Sequence, residues 1–194
     1  MSCDPFEVVR MFERALCEYT GAPYAVATTS CTMALLLACK WHKVDEVEIP
    51  KRTYVGVPMS ILNVGGKVKF RDHEWVGGYQ LYPYPIFDYA RLLTSGMYLG
   101  GMMCLSFHWS KHLSVGQGGA ILHDDPKADE WLRKARFDGR SERGESTFDV
   151  LGYHAYMMPR DAAEGLTRLA ILPKNNEPLP NSDYPDLSQV ELFR

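Results

Sequence analysis

The chain lacks any long apolar run. The longest near its start, Met33 to Cys39, spans 7 residues, against the roughly 20 that a membrane-crossing helix requires. The sequence therefore predicts no membrane span and no membrane partner. It also lacks an excess of either charge. The 21 Lys and Arg against 24 Asp and Glu leave a net charge of −3, so neither nucleic acid nor an anionic bilayer finds an electrostatic footing. No two cysteines have the C-x-x-C spacing of a zinc site or a redox dithiol. Cys3, Cys17, Cys31, Cys39 and Cys104 are odd in number and read as reduced thiols of a cytoplasmic protein. Asp4, Glu7 and Glu13 do not suit a secretory leader. Internal repeats and low-complexity tracts are missing as well. What remains is 194 residues, 46% hydrophobic and 23% charged, enough to bury the core of one domain.

Periodicity then orders the chain. Asp4-Pro5-Phe6-Glu7 is a helix start, with a capping aspartate, a proline at the first helical position and a glutamate three residues after the cap. Phe6, Val9, Phe12, Leu16 and Tyr19 follow at helical spacing and Gly21 ends the helix. Tyr24 to Thr28 reads as a strand, Met33 to Trp41 as a buried helix, and Val47 to Ile49 as a strand stopped by Pro50. Tyr54 to Val64 reads as a helix closed by Gly65-Gly66, and Lys67 to Arg71 as an alternating strand. Strands separated by helices predict a parallel sheet with crossover helices. Trp75 to Tyr84 shows no clean period. Pro85 to Asp88 reads as a strand that delivers Asp88 at its carboxyl end. Pro126 to Phe137 and Arg160 to Leu172 read as helices, and beyond Pro173 the chain is rich in Pro, Asn and Asp. That tail is expected to wrap the surface or bind a neighbouring subunit. Arg133, Lys134, Arg136, Arg140 and Arg143, interleaved with Asp138, Glu142 and Glu145, read as a solvated or subunit-facing surface.

One stretch carries chemistry. An apolar run from Met102 to Phe107 ends in a polar turn holding Lys111; a glycine-rich step and a second apolar run, Ala120 to Leu122, follow. This is strand, loop, strand, with a lysine at the mouth of a sheet. Desolvation there lowers the lysine pKa towards the range in which the amine is nucleophilic, as a Schiff-base lysine requires. Taken alone, a loop lysine is most often simply exposed. His108 and His112 have i, i+4 spacing, but they flank the lysine in a loop and no acidic third ligand follows, so no metal is expected.

Together these segments resemble the fold-type I pyridoxal-phosphate enzymes of the DegT/DnrJ/EryC1/StrS sugar aminotransferase family, over most of residues 6 to 172. Ser30-Cys31-Thr32-Met33-Ala34-Leu35 resembles the family's Ser/Asn-Gly-Thr-x-Ala-Leu helix start. Asp45 to Tyr54 resembles its Asp-Glu-Val-x-x-Pro-x-x-Thr-aromatic turn, and Asp88-Tyr89-Ala90-Arg91 its Asp-x-Ala-Gln/His. Ser106 to Lys111 resembles the Ser-Phe-x-x-x-Lys motif and Gly116-Gln117-Gly118-Gly119 the Gly-Glu-Gly-Gly that follows it. Gly139 to Gly144 and Leu151 to Tyr153 resemble a later family loop.

The resemblance implies an α/β fold, a mostly parallel sheet with helices on both faces. Residues 1–172 would form the cofactor-binding domain and 173–194 an irregular tail, with the small C-terminal domain largely missing. It implies pyridoxal 5′-phosphate (PLP) as cofactor, joined to Lys111. Asp88 would pair with the protonated ring nitrogen and keep the ring an electron sink. Tyr54 would lie on the ring face. Cys31 and Thr32, at a helix N-terminus with free N–H groups, would cradle the phosphate with Ser106. It further implies a homodimer with a shared active site, glutamate as amino donor and a keto nucleotide-sugar as acceptor. The alternative is a trimmed, non-catalytic PLP-binding or assembly protein. A dehydratase is disfavoured, because family dehydratases replace the lysine with histidine.

The departures are specific. Cys31 replaces a glycine where the backbone approaches phosphate. Arg91 replaces a neutral residue beside the cofactor and could pair with Asp88 or with a substrate phosphate. His154 stands where the family has an asparagine that reaches the partner subunit's phosphate. Asp72 to Asp88 is short, as though a strand–helix unit were lost.

Overall fold

The structure of the protein is a computed structural model that describes residues 4–142 and 148–193. Cys3, Arg143, Gly144 and Glu145, which figured in the sequence reading, lie outside the described residues. The elements in chain order are α1 (Glu7–Thr20), β1 (Tyr24–Thr28), α2 (Cys31–His42), β2 (Glu46–Pro50), α3 (Gly56–Asn63), β3 (Lys67–Arg71), β4 (Tyr79–Gln80), β5 (Ile86–Asp88), β6 (Met102–Ser106), β7 (Gly119–His123), α4 (Pro126–Ala135) and α5 (Pro159–Leu169). Gly21 closes α1 at φ 82°, and Ser30 caps α2 by accepting from the Met33 N–H at 3.1 Å.

The expected mostly parallel sheet does not form. The main sheet runs β1-β7-β6-β5-β4, and of its pairings only β5–β6 is parallel. The reason is the connections. No helix separates β6 from β7, only a loop, and a strand that returns without a crossover must pair antiparallel. The short turn between β4 and β5 has the same effect. Where a helix does intervene, as α3 does between β2 and β3, the pair is parallel. Because β7 runs opposite to both its neighbours, β1, β6 and β5 all point the same way. The β2–β3 pair joins the main sheet through one bridge, in which the Glu48 N–H donates to the Tyr82 carbonyl at 2.8 Å and the Tyr82 N–H donates back at 3.1 Å.

Strand alternation divides the core into two layers. Val26, Cys104 and Ile121 face α2, meeting Leu35 and Leu37. Ala25, Ala27, Met103, Leu105, Ala120 and Leu122 face the other way, onto Phe12 and Leu16 of α1 and Ala162 of α5. Helix α2 is apolar on several sides because it is buried on several sides. Helices α1 and α5 approach closely at Gly165, where a Cβ would sit 2.7 Å from the Phe12 ring.

The basic segment after α4 is only partly a surface. Arg136 is fully buried. Its guanidinium pairs with Glu13 of α1, donates to the Ala27 carbonyl at 2.6 Å and reaches Glu142 at 2.5 Å. Arg133 binds the other Glu13 oxygen at 2.7 Å, and the Ala27 N–H donates to Glu13 at 2.8 Å. Sequence proximity suggested solvated charges; beside the local partners Glu142 and Asp129, Glu13 of α1 and Ala27 of β1 come from far away in the chain. The network ties α1, β1 and α4 together.

Burial would raise the Glu13 carboxyl pKa, but the charges of Arg136 and Arg133 outweigh it and hold the group below its ordinary 4.5. A depressed carboxylate stabilises the fold fully above its unfolded pKa, and that stabilisation is lost as pH falls through the folded value. Acid unfolding is therefore expected to gain on this network below about pH 4.5. Glu13→Ala leaves the buried Arg136 guanidinium without one of its two carboxylate partners and should cost about 3–5 kcal/mol in urea unfolding; a loss below about 1 kcal/mol would contradict the assignment.

Candidate active site

Helix α2 begins where β1 ends, so its N-terminus stands at the carboxyl edge of the codirectional strands. The amides of Cys31 and Thr32 are the first of the helix and have no intrahelical acceptor. Gly119 on β7 permits the approach, since a Cβ there would meet the Cys31 nitrogen at 2.4 Å. The side chain of Cys31 does not project into the phosphate approach. It is buried and turned to Asp88, with Sγ 3.9 Å from Oδ1.

Asp88 ends β5 and is buried. It accepts from the Ala90 N–H at 2.9 Å and from the Tyr79 hydroxyl at 3.3 Å. Burial pushes its carboxyl pKa up, against the pull of the Ala90 amide, Tyr79 and the charge of Lys111. Lys111 lies in the β6–β7 loop, its N–H donating to the His108 carbonyl at 2.9 Å, and its side chain is half-buried. Burial lowers its pKa, and the positive charge of Arg91 pushes the same way; Asp88 and Cys31 pull back. A carboxylate driven up and an ammonium driven down thus share one site, a pattern that marks functional clefts.

The cleft is a cavity of about 280 Å³. Ser30, Cys31, Thr32, Tyr54, Asp88, Arg91, Ser106 and Lys111 all line it. The structure therefore brings together every residue that the resemblance placed around the cofactor except His154. That residue is exposed, with Nδ1 3.1 Å from Asp138 Oδ2. Arg91 does not pair with Asp88. Its Nη2 donates to the Pro180 carbonyl, Nε has no partner, and no carboxylate among the described residues meets it. Nor do His108 and His112 converge: one turns to the Ser110 hydroxyl at 3.1 Å and the other to the Glu177 carbonyl at 3.0 Å. The described residues hold no metal-ligating cluster.

Other lining residues were not singled out. Gln117 belongs to the glycine-rich motif, to which the sequence assigned no role in the site. Trp75 lies in the stretch without a period. Ser182 and Tyr184 come from the tail, where composition alone gave no sign of a site. That tail is pinned over the cavity. The Leu179 N–H donates to the Arg91 carbonyl at 2.9 Å, Asn181 donates to the Trp75 carbonyl at 2.6 Å, and the Leu187 N–H donates to the Lys51 carbonyl at 2.9 Å.

With this geometry in view, similarity to known proteins becomes informative. A profile of the DegT/DnrJ/EryC1/StrS aminotransferase family matches residues 5–77 and 96–178. The chain belongs to this family. Among curated relatives, the spore coat polysaccharide biosynthesis protein SpsC of Bacillus subtilis is 24% identical over 83% of this chain and 56% of its own length. The UDP-4-amino-4,6-dideoxy-N-acetyl-beta-L-altrosamine transaminase of Campylobacter jejuni is 24% identical over 87% of this chain and 58% of its own. The chain thus spans somewhat more than half the length of these relatives. Among solved structures, Spr1654 of Streptococcus pneumoniae, assigned as a sugar aminotransferase and solved in a PLP form, superposes with a TM-score of 0.72 at 19% identity, over 85% of this chain and 59% of its own. The α/β fold is therefore that of PLP-dependent aminotransferases. The unmatched interval, 78–95, contains Asp88 and Arg91, whose place in the cavity rests on the geometry alone.

The residues present fit the cofactor this family uses. A buried guanidinium with an unpartnered nitrogen is costly unless an anion meets it. Two free helix amides suit a phosphate, and Asp88 suits a protonated ring nitrogen. Arg91→Met should raise the Lys111 pKa, so the pH midpoint for acetylation of Lys111, followed by mass spectrometry, should move upward. An unchanged midpoint would show that Arg91 does not act on the lysine.

Proposed function

We propose that the protein is a PLP-dependent aminotransferase that moves an amino group, from glutamate, to the keto group of a nucleotide-linked sugar. The observation that carries this reading is the meeting of Lys111, Asp88 and the α2 N-terminus on one cavity. The transaminase named among the relatives supports the class of acceptor.

Bound PLP supplies an aldehyde and a ring that withdraws electrons from a substrate carbon. In this reading Lys111 holds the aldehyde through its Nζ. The same Nζ would also be placed to move a proton, and burial with the charge of Arg91 lowers its pKa in the direction that role needs. Asp88 holds a positive charge on the ring nitrogen. The amides of Cys31 and Thr32, with the hydroxyl of Ser106, bind the phosphate. Tyr54 covers the ring, and Arg91 meets a negative group of cofactor or donor. A second copy of the chain completes the site in a homodimer, to which His154 contributes across the interface.

A second reading, a PLP-binding or assembly protein without turnover, is favoured by one feature. Ser182 and Tyr184 wall a cavity of only 280 Å³, at the low end of the about 300–1,000 Å³ usual for ligand pockets. That volume is nearer the size of a cofactor than of a cofactor with a nucleotide-sugar beside it.

Purified protein mixed with PLP should acquire a visible absorption band that Lys111→Ala abolishes. Failure of the wild-type chain to take up PLP would overturn both readings. Single-turnover mixing with glutamate separates them: the enzyme converts the bound cofactor to its pyridoxamine form, whereas the non-catalytic protein leaves the band unchanged.

A further inference from the structure

The carboxylate at the base of the cavity does not stand alone. Tyr79 on β4 is the residue directly opposite Asp88 in the β4–β5 register. Its hydroxyl lies 3.3 Å from Asp88 Oδ2 and 2.6 Å from Thr53 Oγ1. Both hydroxyl-bearing residues are buried. Tyr79 and Thr53 are 26 residues apart in sequence, and the strand that brings them together is only 2 residues long. Gly78 lets that strand come close, since a Cβ there would lie 2.7 Å from the Asp88 carbonyl oxygen. The ring of Tyr79 packs against Trp75 with centroids 4.8 Å apart. The strand lies within 78–95, the interval that the family profile leaves unmatched.

Proton counting gives this chain of hydroxyls a purpose. A tyrosine has one proton to donate. When Asp88 is ionised, Tyr79 gives that proton to the carboxylate and Thr53 donates to the phenolic oxygen. When Asp88 is protonated, every donor reverses: the carboxyl donates to Tyr79 and Tyr79 donates to Thr53. Every buried group stays paired in either state, but the bond that Tyr79 donates to an ionised carboxylate is charge-assisted and the stronger of the two, so the chain favours the ionised acid. The other donors to Asp88 are less adjustable. The Ala90 amide is backbone, and the Cys31 thiol is a weak donor at 3.9 Å.

We propose that Tyr79, backed by Thr53, is a positioning residue that holds Asp88 ionised and aimed into the cavity, ready for a cationic ring nitrogen. The inference deepens the PLP reading and rests on it for its purpose. Its physical content can be tested without cofactor.

Two measurements on the full chain decide the matter. In the cofactor-free protein, a ¹³C-NMR titration of the Asp88 carboxyl should move upward in Tyr79→Phe, which keeps the ring and its packing. It should move the same way in Thr53→Val and stay at the wild-type position in Thr53→Ser. In the loaded protein, Tyr79→Phe should weaken PLP binding by about ten-fold or more, the worth of one hydrogen bond to a charged group. A wild-type titration in folded Tyr79→Phe would overturn the inference. Should that variant fail to fold, identical titrations of Thr53→Val and Thr53→Ser would overturn it equally. The Asp88 shifts in the variants, together with a wild-type chain that takes up no PLP, would sink the functional reading and leave the hydroxyl chain standing.

Discussion

The parallel pairing of β5 with β6 is the constraint on which the site depends. Parallel strands present their carboxyl ends to the same edge of a sheet, and ligands of open α/β folds bind at such edges. Here β5 ends in Asp88, while β6 ends in Ser106 and runs on to Lys111. Because β7 is antiparallel to both β6 and β1, β1 also ends at this edge and delivers the N-terminus of α2 there. A sheet that is antiparallel by most of its pairings still gathers an acid, an amine and a helix terminus into one cavity.

The cavity gathers charges that resist burial. Asp88 is pushed towards its neutral form and Lys111 towards its own. Arg91, always charged, sits between the family-matched segments, and among the described residues its side chain meets only a carbonyl of the tail. Such an arrangement is not explained by stability, since an unpaired buried charge costs several kcal/mol (about 3–5 where a partner has been removed). An anion arriving with the proposed cofactor or donor would relieve it. The contrast with Glu13 is instructive. There the buried acid has two arginines and a backbone amide, and its role is to fasten α1 to the sheet.

Much of this could be read in the sequence, and the exceptions share a cause. Lys111, Asp88 and Thr32 were legible only together: each alone reads as an ordinary loop or cap residue, and it is the order of the motifs that carry them that resembles the family. The antiparallel sheet was half legible: strand, loop, strand around Lys111 already forbade a crossover, yet the helices between the earlier strands outweighed it. Tyr79 was hidden because a strand of 2 residues shows no period. Arg136 was misread because two of its three partners, Glu13 and Ala27, lie more than 100 residues away, beyond any local window. Ser182 and Tyr184 were invisible for the same reason. Their position is set by contacts to Lys51, Arg52, Trp75 and Arg91, none of which a Pro- and Asn-rich tail announces.

The central claim is that one covalent partner and one acid act on a single cofactor ring. A crystal structure of the protein soaked with PLP tests it most directly. The account predicts electron density continuous from Lys111 Nζ into the cofactor, the ring nitrogen facing Asp88 and the phosphate against the first turn of α2. Cofactor density detached from Lys111, or a ring whose nitrogen faces away from Asp88, would contradict it.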